Sequence, residues 1–274
     1  MPFILIKGNF RPGAGLPDGD SVRFKARDNK HWKKLEGRPV ELGTGAETNG
    51  TVQLRLEGID AIEKAATKPL SVEAKENMFK LIGFDEVSSP EPSGFILARM
   101  TDDKSRRPIC FIFAGKAPQA DGADVHLDAA LLRKSVNWKQ MRDGFAYPLY
   151  YNTLFASLRR EFDNALKQAK AAKRGYWPKD RTLKGVSISS KAELALIAPV
   201  WPKLWRRLQE HFRANSSLKG FKEALEKKNE RIDIMDIMEE RGLQDIVAVK
   251  GKTVRLTVAP ELIRVRGKAG KRVK

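Results

Sequence analysis

Residues 52–63 combine the pattern of a β-strand with one arginine and two carboxylates. Apolar and polar side chains alternate from residue 52 to residue 57, which predicts a strand with one buried face and one open face that carries Arg55. The alternation slips at Gly58, where a bulge is typical and would re-aim the side chains that follow. Asp60 and Glu63 come just past the strand end. A guanidinium and two carboxylates delivered to one place could hold a hard cation and a phosphate together.

An upstream segment favours a site over the plain alternative, in which a strand ending in Asp and Glu is only a solvated turn. The segment DGDS at 18–21 opens a second strand pattern. Its apolar side carries Val22, Phe24 and Ala26, and its basic side carries Arg23, Lys25 and Arg27. Asp20 of this segment is a second source of carboxylate oxygen for the same site.

Four separated motifs resemble the staphylococcal-nuclease (thermonuclease) family. They are DGDS at 18–21, RLEGIDAIE at 55–63, DKSRR at 103–107 and AKRGYW at 172–177, the last ending a long helix. The resemblance covers residues 3–180, and four motifs in the right order rarely coincide by chance. The chain departs from the family pattern at Ile62, usually Pro, at Ser21, usually Thr, and at Ser105, often aromatic. The last change is expected to weaken stacking on a base.

The resemblance implies an α+β fold for residues 1–184, with a five-stranded OB-type β-barrel and packed helices. Residues 28–50 exceed the hairpin expected in the family and could hold a small hairpin or a substrate-contacting loop. We expect helices over 71–81 and around 154–169, and a hairpin whose charged tip is 102–107.

Residues 190–274 lie outside the resemblance, beyond an expected linker at 178–190 that few contacts cross. Their apolar spacing predicts three helices and one hairpin, hence a small C-terminal helical domain with a β-hairpin and a basic tail over 264–274. The three helical stripes are Leu204, Trp205, Leu208 and Phe212; Leu218, Phe221 and Leu225; and Ile234, Ile237 and Met238. This domain could bind nucleic acid, dock a protein partner or cap the first domain.

The resemblance assigns catalytic roles to three side chains. Glu63 would be the general base that activates water. Arg55 and Arg107 would hold the phosphate and stabilise a phosphorane-like transition state, since each offers a forked set of donors. Arg107, rather than Arg106, matches the family's spacing.

The resemblance also implies a metal and a nucleotide pocket. Asp20, Asp60 and the carbonyl of Ala61 would bind calcium, the family's metal, with magnesium as the second choice. The expected nucleic-acid contacts are Lys104, Tyr147, Tyr150 and Tyr151. For the tyrosines, a plain packing role is an equal alternative.

The implied activity is that of a calcium-dependent endonuclease, a phosphodiester hydrolase that cleaves DNA and/or RNA with little sequence preference. The first rival is a non-catalytic nucleic-acid-binding module of the same fold. The second is an interaction protein whose basic face meets an acidic partner or a membrane. Retention of both Asp residues, the Glu and both Arg residues favours the enzyme.

Composition sets wider bounds on these interpretations. The 274 residues carry a formal charge of +18, which indicates a polyanionic partner, nucleic acid first and an anionic membrane second. The apolar run after Met1 is too short for a signal peptide, so we expect a cytoplasmic protein without a membrane span, secreted only if a leader has been removed. Cys110 is the single cysteine, which excludes a disulfide framework. We expect it to be a buried thiol.

Overall fold

A nearly closed β-barrel sheet forms the N-terminal part of this mixed α+β chain in the computed structural model, which describes residues 2–85 and 91–267. The strands of the described chain are β1 (Phe3–Arg11), β2 (Arg23–Ala26), β3 (Val52–Gln53), β4 (Arg55–Leu56), β5 (Gly58–Asp60), β6 (Ser93–Thr101), β7 (Pro108–Ala114), β8 (Asp124–Val125), β9 (Tyr147–Tyr151), β10 (Val186–Ser187), β11 (Arg231–Ile234), β12 (Glu239–Gly242), β13 (Val247–Lys250), β14 (Thr253–Leu256) and β15 (Ile263–Val265).

The helices complete the list of regular elements. The α-helices are α1 (Leu70–Leu81), α2 (Ala129–Leu132), α3 (Val136–Arg142), α4 (Ala156–Ala171), α5 (Pro202–His211) and α6 (Phe221–Lys228). The 3-10 helices are Asn29–Lys34, Ala192–Ala195, Leu243–Ile246 and Pro260–Leu262. No helix of the described residues has the length and apolar character that a membrane crossing requires.

The first sheet closes through the two halves of one interrupted strand. Its order is β3-β2-β1-β6-β7-β4, with β8 paired to β1, so that it begins at β3 and ends at β4. Only Leu54 separates these two segments in the chain, and the β4–β7 pair is parallel. The predicted α+β class is confirmed, and the barrel-like sheet is compatible with an OB-type barrel. By pairing it has seven strands, where the sequence predicted five.

Gly58 is the point at which the chain leaves the first sheet for another. β4 pairs with β7, whereas β5 pairs antiparallel with β9 in a sheet of order β12-β11-β15-β9-β5. Gly58 has φ +83°, and a Cβ built on it would lie 2.5 Å from the ring of Phe162. Both the backbone conformation and the space therefore require glycine. The sequence predicted a bulge at Gly58, and the structure has instead a break in the strand with a change of sheet.

The elements predicted around the barrel mostly agree with the structure. Helix α1 buries Ala74 and Met78, and α4 buries Leu158, Phe162, Ala165 and Ala169 as their spacing predicted. The hairpin of β6 and β7 has 102–107 at its tip, and Cys110 is buried. Strand β1 continues to Arg11 because Gly8–Arg11 pairs with β2. Residues 28–50 contain a 3-10 helix and no hairpin of their own.

Helix α3 is absent from the sequence prediction because its most important side chains are polar. Asn137 is fully buried, and its side chain donates to the carbonyls of Glu57 and Cys110, each at 3.0 Å. The side-chain oxygen Oδ1 of Asn137 accepts a hydrogen bond from the N–H of Ile112 at 3.0 Å. This amide satisfies buried backbone groups at the junction of β4 and β7. The spacing of apolar residues gives no indication of such a hydrogen-bonding role.

The second core joins residues 62–176 to the C-terminal part of the chain, so the segment 178–190 is not the loose connection that its composition predicted. This core combines Ile62, Tyr147 and Tyr176 with apolar residues beyond 186. Strands β9 and β15 pair in parallel, and β10, inside the expected linker, pairs with β14. The predicted domains 1–184 and 190–274 therefore share a sheet and a core.

Two of the three C-terminal helical stripes lie as predicted, and the third prediction is wrong. The first stripe is buried on α5 or, for Phe212, at its end, and the second is buried along or just before α6. Ile234 belongs instead to the hairpin of β11 and β12, while Ile237 and Met238 are 55% and 84% exposed. The hairpin of β13 and β14 is confirmed. Of the basic tail, Lys268–Lys274 lies outside the described residues.

Gly58→Ala is expected to destabilise the protein by about 2–5 kcal/mol, the sum of a left-handed backbone penalty and the overlap with Phe162. Gly83→Ala is the matched control, because Gly83 has φ +75° and no described atom lies within 4 Å of the position that its Cβ would take. It should cost only about 1–2 kcal/mol. Urea unfolding of the two variants gives both values. Equal losses would contradict the close approach of Phe162.

A chain that ends at Ser187 is expected to be insoluble or to unfold without a cooperative transition. The truncation removes most of the second core and uncovers Tyr147, Leu149 and Tyr176, which are at most 4% exposed in the full chain. Solubility and thermal unfolding followed by circular dichroism measure the effect. A soluble fragment with one sharp transition would show that residues 1–187 form an independent domain.

Candidate functional site

The candidate site lies where the chain passes from the first sheet to the second. Arg55 is on β4, Asp60 ends β5, and Asp20 precedes β2. Asp20 Oδ2 accepts a hydrogen bond from the N–H of Ala61 at 3.0 Å, and the Asp20 carbonyl accepts from the N–H of Leu56 at 3.2 Å. These contacts tie the upstream segment to the strand end, as the paired motifs suggested.

A tight turn orients Asp20. Asp18 Oδ1 accepts from the Ser21 hydroxyl at 2.8 Å and from the N–H of Asp20 at 3.3 Å. Gly19 packs so closely against Ala61 and Ala74 that a Cβ on it would lie 2.7 and 2.8 Å from their methyl groups. Ser21 supplies the hydroxyl that closes this turn.

The acidic groups of the site repel one another. Burial, followed by the charges of Asp18 and Asp60, raises the pKa of Asp20 well above its ordinary value. Asp60 is buried, with only 5% of its side chain exposed. Burying negative charge in this way is unfavourable unless a cation lies nearby.

Arg55 lies on the open face of β4, as its position in the alternation predicted. Its Nη2 donates to the Tyr151 hydroxyl at 3.0 Å, and its guanidinium lies 5.2 Å from the centre of the Tyr151 ring. Its Nη1 is 3.9 Å from Asp102 Oδ2. Burial lowers the pKa of Arg55, but Tyr151, Asp60 and Asp102 raise it by more. Arg55 is therefore a firmly charged group.

Arg107 reaches the same carboxylate from the hairpin tip. Its Nε donates to the Ser105 hydroxyl at 2.8 Å and lies 3.4 Å from Asp102 Oδ2. Burial raises the pKa of Asp102, but hydrogen bonds from Ser105 and the charges of Arg107 and Arg55 lower it below its ordinary value. Arg106 lies in the left-handed region and is 3.8 Å from Glu41 instead. The structure thus brings Arg107, rather than Arg106, to Arg55.

A cation from the C-terminal part completes the site, and the sequence did not reveal it. Arg206 of α5 donates from Nη1 to Asp60 Oδ1 at 2.9 Å and from Nη2 to Asp60 Oδ2 at 2.8 Å. Its Nη1 also donates to Glu63 Oε1 at 2.7 Å. The residue lies on an amphipathic helix outside the four motifs, where a surface arginine is unremarkable. No local signal distinguishes it.

Glu63 retains a raised pKa beside this arginine. Burial and, to a smaller extent, the charges of Asp60 and Asp18 raise the pKa of Glu63, whereas Arg206 lowers it, and the pKa stays above its ordinary value. A carboxylate whose pKa moves toward neutrality is better suited to accept a proton from water. The charge of Asp60 raises the pKa of both Glu63 and Arg55.

Two of the four residues predicted to bind nucleic acid lie in the hydrophobic cores, which corrects that prediction. Tyr147 and Tyr150 are fully buried, and their hydroxyls donate to Asp180 at 2.7 Å and to Asp163 at 2.8 Å. A buried ring cannot stack on a base. Tyr151 is the tyrosine of this group that contacts Arg55, and Lys104 is exposed at the hairpin tip.

A polar groove of about 480 Å³ runs from Arg107 along the loop that precedes β3. Arg23 and Arg106 also line it, together with Gln53, Thr44 and Thr48. Arg23 Nη1 donates to the Thr51 hydroxyl at 2.9 Å, whereas its buried Nε has no hydrogen-bond partner among the described residues. The long segment 28–50 therefore contributes one wall of a basic groove.

The carboxylates as arranged do not fit a metal ion. Within residues 2–85 and 91–267, no group of three or more His, Cys, Asp or Glu side chains could hold one. Both oxygens of Asp60 bind Arg206, and one oxygen of Asp20 accepts the N–H of Ala61. Carboxylate oxygens are of the type that calcium prefers. In this structure, however, both oxygens of Asp60 and one oxygen of Glu63 already accept hydrogen bonds from the guanidinium of Arg206.

No model of a known protein family matches the chain, and no curated protein matches it. The function of the chain is therefore inferred from its residues and their geometry.

Proposed function

We propose that the chain hydrolyses phosphodiester bonds of DNA and/or RNA with little sequence preference, as an endonuclease. The observation that carries this proposal is the convergence of Arg55 and Arg107 on Asp102, together with the charge of Asp60, which acts on both Arg55 and Glu63. Two guanidinium groups and one carboxylate of raised pKa are the groups that attack of water on a phosphodiester requires.

The arginines are suited to hold a phosphate. The hydrogen bonds that Arg107 makes to described residues use Nε alone, which leaves its two Nη groups for phosphate oxygens. Arg55 Nη1 lies 3.9 Å from Asp102, too far for a strong hydrogen bond, so this nitrogen also has capacity for a ligand. Positive charge at this point stabilises the extra negative charge of a five-coordinate phosphorus.

Glu63 is assigned as the general base. It takes a proton from a water molecule as the water oxygen forms its bond to phosphorus and the bond from phosphorus to the leaving sugar oxygen breaks. The leaving oxygen takes its proton from solvent. Arg55 and Arg107 bind phosphate oxygens during this step.

The groove beside Arg107 and the charge of +18 support a polynucleotide as the substrate. Binding through phosphates carries little sequence information, which accounts for the expected weak preference. Calcium, with magnesium second, is the metal that the family resemblance implies. The steps above do not depend on it, because Arg206 occupies the carboxylates in this conformation.

The proposed architecture is a five-stranded OB-type barrel. In this assignment β3 and β4 count as one interrupted strand, which joins β1, β2, β6 and β7 to give five, and β8 is an accessory. The closing pair is β4 with β7. OB folds bind oligonucleotides on the face and loops of the barrel, which agrees with a groove next to the β6–β7 hairpin.

The alternative is a non-catalytic nucleic-acid-binding module, and one observation favours it. The ion pairs of Arg206 with Asp60 and Glu63 neutralise carboxylates that a metal-dependent enzyme needs free. The arginines and the basic groove would then serve binding only.

Glu63→Gln is expected to lower the rate of hydrolysis by about 10²–10⁴, the range for a general base, while the fold is kept. The amide can still accept the hydrogen bond from Arg206. Cleavage of an end-labelled single-stranded oligonucleotide measures the rate. Glu226→Gln, an exposed position on α6, is the control and should cleave like the wild type. Equal rates for Glu63→Gln and the wild type would remove Glu63 from the mechanism.

Arg55→Lys and Arg107→Lys are each expected to reduce turnover although the charge is kept, because an ammonium cannot span two phosphate oxygens as a guanidinium does. Arg106→Lys at the same hairpin tip is the control and should retain most of the activity. The same oligonucleotide assay compares the three variants. Loss of activity in Arg106→Lys with full activity in Arg107→Lys would exchange the roles of these neighbours.

A further inference from the structure

The groove beside Arg107 has two walls that come from separate parts of the chain. Residues 105–108 of the hairpin tip form one wall, and the segment 41–48, here called the loop wall, forms the other. Arg106 Nη1 on the hairpin tip lies 3.8 Å from Glu41 Oε2 on the loop wall, so two side chains bridge the groove. Both side chains are exposed, and such a pair contributes little to stability. The groove is therefore narrow, and the pair can open to admit a ligand.

The loop wall is closed at its base by backbone hydrogen bonds. The N–H of Gly43 donates to the Thr51 carbonyl at 2.7 Å, and the N–H of Gly50 donates to the Gly43 carbonyl at 3.0 Å. Residues 44–49 project from this base as a loop. Leu42 lines the groove and is 36% exposed, which offers an apolar surface to a ligand. The loop wall belongs to the segment that exceeds the hairpin expected in the family, so it is a feature of this chain.

Arg23 of β2 lies between the loop wall and an earlier loop, in a fixed orientation. A Cβ built on Gly15 would lie 3.0 Å from Arg23 Nε, and one built on Gly43 would lie 2.9 Å from Arg23 Nη1. The hydrogen bonds that Arg23 makes to described residues use Nη1 alone, and no described carboxylate forms an ion pair with it. Its Nη2 and its charge are therefore left for an anionic ligand.

The groove fits one nucleic-acid strand better than two. Its volume of about 480 Å³ is within the range of pockets that enclose small ligands. A duplex carries two backbones with paired bases between them, and its full width cannot pass between walls that one Arg–Glu pair bridges. Because Arg23 and Arg107 line the same groove, a strand with one phosphate at Arg107 can present a neighbouring phosphate to Arg23.

We propose that Arg23 and the loop wall form a second phosphate subsite, which takes single-stranded nucleic acid. The subsite binds a phosphate next to the one that Arg55 and Arg107 hold, and a duplex does not enter it. This inference rests on the proposed function for the phosphate at Arg107. It adds the class of strand and a use for a segment outside the four motifs.

Binding of matched single and double strands tests the proposal. The full-length protein carries Glu63→Gln so that the nucleic acid stays intact, and fluorescence anisotropy in EDTA gives the affinities. Charge alone favours a duplex, since its phosphates are more densely spaced. A mixed-sequence DNA strand is nevertheless expected to bind at least about tenfold more tightly than the same strand annealed to its complement. An RNA strand of the same sequence is the second arm, and binding of either strand supports the subsite and identifies the sugar that it accepts.

The salt dependence of binding tests the role of Arg23. Each phosphate contact to a single strand contributes about 0.7 to the slope of log K against log salt concentration, so Arg23→Gln should lower the slope by about that amount. Duplex binding by this variant should change little. Arg160→Gln is the matched control, because Arg160 is exposed on α4, forms no ion pair with a described residue and does not line the groove. Its slope should equal that of the parent protein.

A shortened loop wall tests the single-strand preference without changing Arg23. Replacement of residues 44–49 by Asn-Gly keeps Gly43, Gly50 and Thr51 at the base, and Asn-Gly suits a two-residue turn. The preference for a single strand should fall to within about threefold, because a duplex then meets only one wall. This variant also decides the question if Arg23→Gln does not fold, as judged by circular dichroism.

Three outcomes would overturn the proposal. They are a duplex that binds the parent protein as tightly as a single strand, a salt slope in Arg23→Gln equal to that of Arg160→Gln, and an unchanged strand preference in the shortened-loop variant. Failure of the proposed function gives a different result. The expected strand preference and slopes, with no cleavage by the protein that retains Glu63, would leave the subsite in place and remove the hydrolase.

Discussion

The ion pair between Arg206 and Asp60 is the interaction that connects the candidate site to the second core. Asp60 ends the strand that leaves the barrel, and Arg206 lies on a helix of the second core. Burying a carboxylate is unfavourable unless a partner compensates it, and the loss of one partner of a fully buried pair costs about 3–5 kcal/mol. Because 30% of the Arg206 side chain is exposed, the cost here falls below that range. The pair thus stabilises the contact between the cores and remains exchangeable.

Gly58 supplies the second constraint, since it allows one short segment to serve two sheets. Arg55 is fixed by pairing with β7, and Asp60 by pairing with β9. The left-handed conformation of Gly58 and the ring of Phe162 against it set the angle between these strands. The guanidinium and the carboxylate therefore approach the site from two rigid supports, which is how a site is held in a defined geometry.

The local sequence pattern was sufficient to predict much of the barrel and half of the candidate site. The alternation around Arg55, the break at Gly58 and the charged hairpin tip each depend on neighbours in sequence, and each lies where the sequence predicted. Long-range packing decided the rest. Arg206 is 143 residues from Glu63, and nothing in its own helix distinguishes it from a solvated arginine. The sequence around Tyr150 does not distinguish a tyrosine buried in the core from one that binds a ligand. Only the packed fold shows that it is buried.

Cleavage of DNA by the purified full-length protein is the most direct test of the central claim. End-labelled single-stranded DNA of mixed sequence is incubated in saturating calcium or in EDTA, and a gel-shift assay under the same conditions records binding. The proposed mechanism predicts cuts at many positions, with binding through the basic groove. DNA that is bound but stays intact in every condition, with calcium and with magnesium included, would contradict hydrolysis and leave a nucleic-acid-binding module.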